Sequence, residues 1–123
     1  MHTRGFPNAF FFGPAQSAFT ATYTYSLDEQ SVHLVHILTE AAKKDAKRIE
    51  ASATAEKTWV KTIIEKARLT ADFQEKCTPG YYNNEGIVNT KLQNNFYGGG
   101  PIEFFSLMKK WRRKGGLKGL EIS

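Results

Sequence analysis

Four side chains that could act together chemically recur along one stretch: Glu29, His33, His36 and Glu40. Spacings of four, three and four residues put them on one face of a helix. Carboxylates and imidazoles that project inward from helices build metal sites in bundles. One helix cannot close such a shell, and no histidine follows His36 to complete it. A solvated helix face explains the same pattern more simply, so no metal ligand is assigned.

The remaining chemistry-bearing residues are equally isolated. Cys77 is the single cysteine; it forms no internal disulfide, and as a nucleophile it would need a nearby base that the following sequence does not offer. A thiol packed beside a loop is the plainer reading. The glycines never make G-x-G-x-x-G, because Glu103 stands where Gly98 and Gly100 would need the third glycine, and there is no G-x-x-x-x-G-K-[ST]. A dinucleotide must therefore be held mainly by residues outside this chain. No catalytic residue is assigned.

The net charge of +5 is concentrated in "KKWRRKGGLK" (Lys109–Lys118). Such a cluster can meet phosphates or an acidic partner, but a basic last turn also complements a helix dipole. The second reading is preferred, and no nucleic-acid partner is expected. No apolar run approaches a membrane span of about 20 residues, and the first residues lack the regions of a signal peptide. The expectation is a cytoplasmic chain with no membrane partner.

The elements that must position these residues point to an α+β chain, mostly helical with a few short strands. Ala9–Phe12, between Pro7-Asn8 and Gly13-Pro14, reads as a fully buried strand. Ser26-Leu-Asp-Glu29 has capping-box spacing, so a helix is expected from Leu27 to Lys47 with Leu34, Val35, Leu38, Ala41 and Ala42 as its apolar stripe. A second helix follows a cap at Ser52 or Thr54, with Trp59, Val60, Ile63, Ile64 and Ala67 at helical spacing. Residues 78–100 are rich in turn formers and aromatics, the composition of a functional or docking segment. Pro101 opens a third helix anchored by Ile102, Phe105, Met108 and Trp111 and stopped by Gly115-Gly116; Leu120–Ile122 is a short strand.

At "RGFPNAFFFGP" (Arg4–Pro14) the chain resembles the C-terminal part of Baeyer–Villiger-type flavoprotein monooxygenases, in which G-[FY]-P-N runs into an aromatic strand and then Gly-Pro. "SLDEQSVHLVHIL", "AEKTWV", "CTPGYYNNEG" and "YGGGPIEFFSLMKKWRRKGGLKGLEIS" follow in the family's order, so the resemblance covers essentially the whole chain. It implies the C-terminal part of a two-dinucleotide-binding-domain α/β flavoprotein. Residues 1–25 would be the last strand and flavin-side segment of an incomplete FAD-binding domain, residues 26–76 two amphipathic helices, and residues 77–123 a long loop, helix and terminal strand.

Met1 then reads as an internal methionine of a longer protein. The partners implied are N-terminal FAD- and NADPH-binding domains and a small organic substrate. The parent would insert one oxygen atom from O2 into a ketone or a heteroatom. This chain lacks both Rossmann motifs, so it is expected to be inactive alone and to hold neither cofactor stably. The family's catalytic arginine lies upstream of the matching region, and Arg4 does not take that role.

The resemblance carries Gln16, Ser17 and Thr24 to the cofactor side, Thr24 through backbone atoms at the flavin's pyrimidine edge. Phe19 and Tyr23 go to the substrate pocket. The stretch is one residue longer than in some relatives, which leaves the register of Gln16–Thr22 open. A non-enzymatic interaction module or gene remnant, docking through Tyr81–Tyr97, is the alternative.

Overall fold

The computed structural model describes residues 1–67, 76, 78–80, 85 and 92–123. The described elements run α1 (Tyr23–Ala42), β1 (Ile49–Ala51), α2 (Ala53–Ala67), a 3-10 turn at Leu92–Asn94, α3 (Pro101–Lys114) and β2 (Leu120–Ile122). The mostly helical α+β expectation matches this order. Cys77, Tyr81 and Tyr82 lie outside the described residues.

α1 starts a turn earlier than the capping box suggested. Ser26 is fully buried, and its hydroxyl bonds Ala18 O at 3.4 Å and Gln30 Nε2 at 3.2 Å, so it is spent on the interior. Thr22 takes the cap position without a side-chain bond. The helix also ends before Lys47. The Asp45 amide donates to Ala42 O at 3.0 Å and the Ala46 amide to Ala41 O at 3.1 Å, with Asp45 at φ +52°, a left-handed helix exit. Its buried stripe is Ser26, Gln30, Ile37 and Ala41; Val35 and Leu38, expected inside, face outward. Hydropathy misplaces the stripe because two of the buried positions are polar groups satisfied by hydrogen bonds.

α2 is capped by Ser52, whose hydroxyl accepts the Ala55 amide at 3.2 Å. Ile63 and Ala67 are buried from this helix. α3 begins at Pro101, carries Glu103 in its first turn and Arg112, Arg113 and Lys114 in its last, and stops at Gly115 (φ +63°). Its anchors are Phe104, Phe105 and Met108. Ile102, expected among them, is 87% exposed.

Two apolar clusters form among the described residues. Ala18, Ile63, Tyr97, Phe104, Phe105 and Met108 form one, with Trp59 at its margin. Ile37, Ala41, Ile49 and Leu117 form the other, flanked by Phe10, Trp111, Leu120 and Ile122. β2 pairs antiparallel with β1, Glu50 opposite Glu121. β1 was not expected. The Glu50 carboxylate accepts the Gly5 amide at 2.5 Å and pairs with Arg48 at 2.6 Å, which relieves two like charges directly opposite each other.

Ala9–Phe12 corrects the strand expectation. It is irregular and pairs with no strand among the described residues. The loop is tied by the Asn8 amide to Ile49 O at 2.9 Å and the Phe11 amide to Met1 O at 2.8 Å. Phe10 packs inward, while Phe11 (58%) and Phe12 (41%) stay exposed. A buried strand needs neighbours for its amides and carbonyls, and none is described here.

Candidate functional site

α3 covers the Glu29, His33 and His36 end of the Glu/His face of α1. Glu29 pairs with Lys109 at 3.2 Å and Arg112 at 3.4 Å, and accepts the Tyr25 hydroxyl at 3.3 Å. Burial pushes the Glu29 carboxyl up, yet Lys109, Tyr25 and Arg112 together hold it below the ordinary carboxylate range. His33 lies 5.0 Å from the Trp111 ring and His36 meets the same indole edge-on at 6.1 Å. Glu40 bonds Lys43 at 2.6 Å. Among the described residues, no group of three or more metal-ligating side chains converges.

This packing has a pH consequence. Burial first, then the Arg112 charge and neighbouring histidines, push His33 down to about 3 from 6.5. Burial likewise takes His2, edge-on to Phe10 at 5.2 Å, to about 4. Both are neutral in the folded chain above these values, whereas an unfolded chain takes up their protons below pH 6.5. Their contribution is whole above pH 6.5 and is lost as pH falls toward 4 and then 3, at up to about 1.4 kcal/mol per pH unit for each. Urea midpoints across that window should fall with pH, and His33→Phe should make the fall shallower. An unchanged slope in His33→Phe would contradict the assignment.

The stretch from Gln16 to Tyr25 has a different construction, pinned at one end and open at the other. Gln16 sits at φ +55°, its amide donating to Asn95 O at 2.8 Å and its Nε2 to Gln93 O at 2.8 Å. Ser17 is buried; its carbonyl accepts the Tyr97 amide at 2.9 Å and its hydroxyl the Gln30 Nε2 at 3.1 Å. Downstream, Phe19 stacks on Phe96 at 5.5 Å yet remains 46% exposed, and Tyr23 and Thr24 are exposed. Thr24 is the second residue of α1, where amides precede the first intrahelical acceptor. Phe19, Tyr23 and Thr24 thus stand on a backbone fixed by Gln16 and Ser17.

Gln30 does the fixing, although the sequence marks it only as part of a motif. Its Oε1 accepts the Gly13 amide at 3.2 Å, and its Nε2 reaches Gly13 O at 3.4 Å, Ser17 Oγ at 3.1 Å and Ser26 Oγ at 3.2 Å. The neighbouring segment closes from the other side through Tyr97, which is 1% exposed. Trp59 stacks parallel to it at 5.7 Å, and its hydroxyl donates to Glu103 at 2.6 Å, where Lys66 also pairs at 2.9 Å. Buried in this way, Tyr97 is withdrawn from the docking surface of the alternative reading.

The family resemblance, not this geometry, assigns the stretch to the flavin side of an FAD-dependent monooxygenase, and the comparisons with known proteins bear on that class. No family model matches the chain. It is 42% identical over 123 residues to neopentalenolactone D synthase of Streptomyces avermitilis, covering 99% of this chain and 21% of that protein. A Baeyer–Villiger monooxygenase of Streptomyces coelicolor is 37% identical over 91% of the chain, and an FAD-binding monooxygenase of Hypomyces subiculosus 34% over 98%. The chain spans about a fifth of the length of these relatives: 21%, 18% and 20% respectively.

Among solved structures, the polycyclic ketone monooxygenase of the thermophilic fungus Thermothelomyces thermophila superposes with a TM-score of 0.89 at 30% identity, over 99% of this chain and 20% of that one. The chain corresponds, over nearly its whole length, to one segment of Baeyer–Villiger and FAD-binding monooxygenases. Among the described residues no helix is long and apolar enough to cross a membrane.

Proposed function

We propose that this chain is the flavin-side and C-terminal segment of an FAD- and NADPH-dependent monooxygenase that inserts one oxygen atom from O2 into a ketone or oxidises a heteroatom. Residues 1–25 complete an FAD-binding domain, residues 26–76 supply the two helices behind it, and residues 77–123 form the loop and tail. The parent works in the cytoplasm on a small organic substrate, with FAD- and NADPH-binding domains supplying what this segment lacks. The observation that carries the reading is the pinned stretch Gln16–Ser17, which presents Phe19, Tyr23 and Thr24 on its open side.

FAD, when bound, supplies the oxygen chemistry, and the protein orients it and keeps water out. In this reading Gln16 and Ser17 hold the backbone beside the ring through the bonds to Gln93, Asn95 and Gln30. Thr24 offers its backbone to the pyrimidine edge, where the positive end of α1 favours electron density. Phe19 and Tyr23 give the substrate an apolar wall. A site of this kind has an apolar body and a few orienting polar groups.

Two preparations test the proposal. The purified chain, given FAD, NADPH and a cyclic ketone, should form no ester or lactone above free-flavin background. The same chain, exchanged for the matching segment of the polycyclic ketone monooxygenase, should support NADPH-dependent oxygen insertion. Turnover by the chain alone, or a folded, flavin-loaded chimera without turnover, would overturn it.

A further inference from the structure

A groove of about 470 Å³ opens between the start of α1 and the outer face of α3. Its floor is apolar: Tyr25 and Phe105, edge to face at 5.2 Å, with exposed Ile102 at the lip. One wall is cationic. Lys109, Lys110 and Arg113 line it, and no carboxylate among the described residues does. Glu29 lies behind this wall and pairs with Lys109 and Arg112, which leaves Lys110 and Arg113 without an ion pair among the described residues. The hydroxyl-bearing Thr20 and Ser106 stand between floor and wall.

We infer that this groove binds an amphipathic organic anion, its phosphate or carboxylate head on Lys110 and Arg113 and its apolar body on Tyr25 and Phe105. Charge complementarity selects the head: unpaired cations on one helix face attract an anion, and guanidinium and ammonium bond its oxygens with charge assistance. Aromatic area selects the body. The binding is inferred from the groove's described residues and charges alone, so it stands or falls independently of the flavin reading. Thr20 and Tyr25 also belong to the stretch proposed to flank the flavin.

The test is a titration of the 15N-labelled chain with 1-naphthyl phosphate, with 1-naphthol and inorganic phosphate as the neutral and headgroup-only probes. Naphthyl phosphate should give saturable shifts at Phe105, Lys110 and Arg113, and both controls should bind more weakly by about tenfold, as expected for losing either two surface charge-assisted contacts or the aromatic floor. Lys110→Glu with Arg113→Glu should abolish the preference for the phosphate over the naphthol while leaving the circular dichroism unchanged. Lys110→Gln alone should weaken it partially. Equal binding of naphthol, equal binding of inorganic phosphate, or a preference that survives the double charge reversal would each overturn the proposal. So would binding only to vesicles of anionic phospholipid, which would assign the same cations to a lipid surface.

Discussion

Gly98→Ala is expected to destabilise the chain by about 3 kcal/mol, the upper range for forcing an extra carbon into a packed interior. A Cβ on Gly98 would fall 2.1 Å from Lys66 O and 2.7 Å from its carbonyl carbon. Both are backbone atoms of the last turn of α2, so no side chain can swing aside. The residue before it is Tyr97, whose ring is held between Trp59 and Phe104. Relief must therefore come from moving α2 away from the segment that carries Tyr97, which opens the larger apolar cluster.

Gly100→Ala is the control. It has nothing within 4 Å of an added Cβ but sits at φ +84°, ψ 165°, a region essentially reserved for glycine, so its loss of about 1–3 kcal/mol should come from backbone strain alone. Urea midpoints of the two variants measure the difference directly. A Gly98→Ala chain as stable as the unsubstituted one would mean that α2 and the Tyr97 segment are not in this contact.

Gln30→Leu should cost about 2–4 kcal/mol, although leucine is similar in size and more apolar. The substitution leaves the Gly13 amide and carbonyl and the Ser17 and Ser26 hydroxyls without the partner that now serves all four. A buried donor or acceptor left unpaired costs about 1–3 kcal/mol, and groups in one network lose more together than singly. The consequence reaches the candidate site, because Gln30 holds both ends of the Gly13–Ser17 turn that precedes Phe19. Gln30→Leu should therefore raise amide hydrogen exchange at Gly13 more than at Ile63, which lies on α2 and makes no bond to Gln30. Uniform acceleration at both positions would mean that Gln30 supports global stability and does not specifically hold the turn.

The sequence reveals α2 and α3 well because their signals agree. Ser52 caps the first, Pro101 and Gly115 bracket the second, and apolar spacing selects most of the same face. α1 is legible as a helix but not in its bounds or its face, since Ser26 and Gln30 look like surface residues until their hydrogen bonds are seen. The run Phe10–Phe12 has the composition of a buried strand, yet composition cannot supply the ladder partner that makes one. β1 is invisible because three residues become a strand only through pairing with β2, some seventy positions away in sequence.

The site divides in the same way. Residue types alone gave no reason to prefer Gln16, Ser17 and Thr24 over other polar residues; the family resemblance selected them. That Gln16 and Ser17 are anchors, while Phe19, Tyr23 and Thr24 lie open, depends on tertiary bonds to Gln93, Asn95 and Gln30. The Glu29–His33–His36 face shows the converse. Its spacing was read correctly as one helix face, but its occupant, Trp111 with the cations of α3, comes from a segment far along the chain.

The most direct measurement is the FAD content, after gel filtration, of the polycyclic ketone monooxygenase carrying this chain in place of its matching segment. It is compared with the same chimera in which Gln16–Tyr25 is replaced by a glycine-serine stretch of equal length. The account predicts stoichiometric flavin in the first and strongly depleted flavin in the second, with circular dichroism showing both folded. Equal flavin retention in two folded chimeras would contradict it, because Gln16–Tyr25 would then have no part in holding the cofactor.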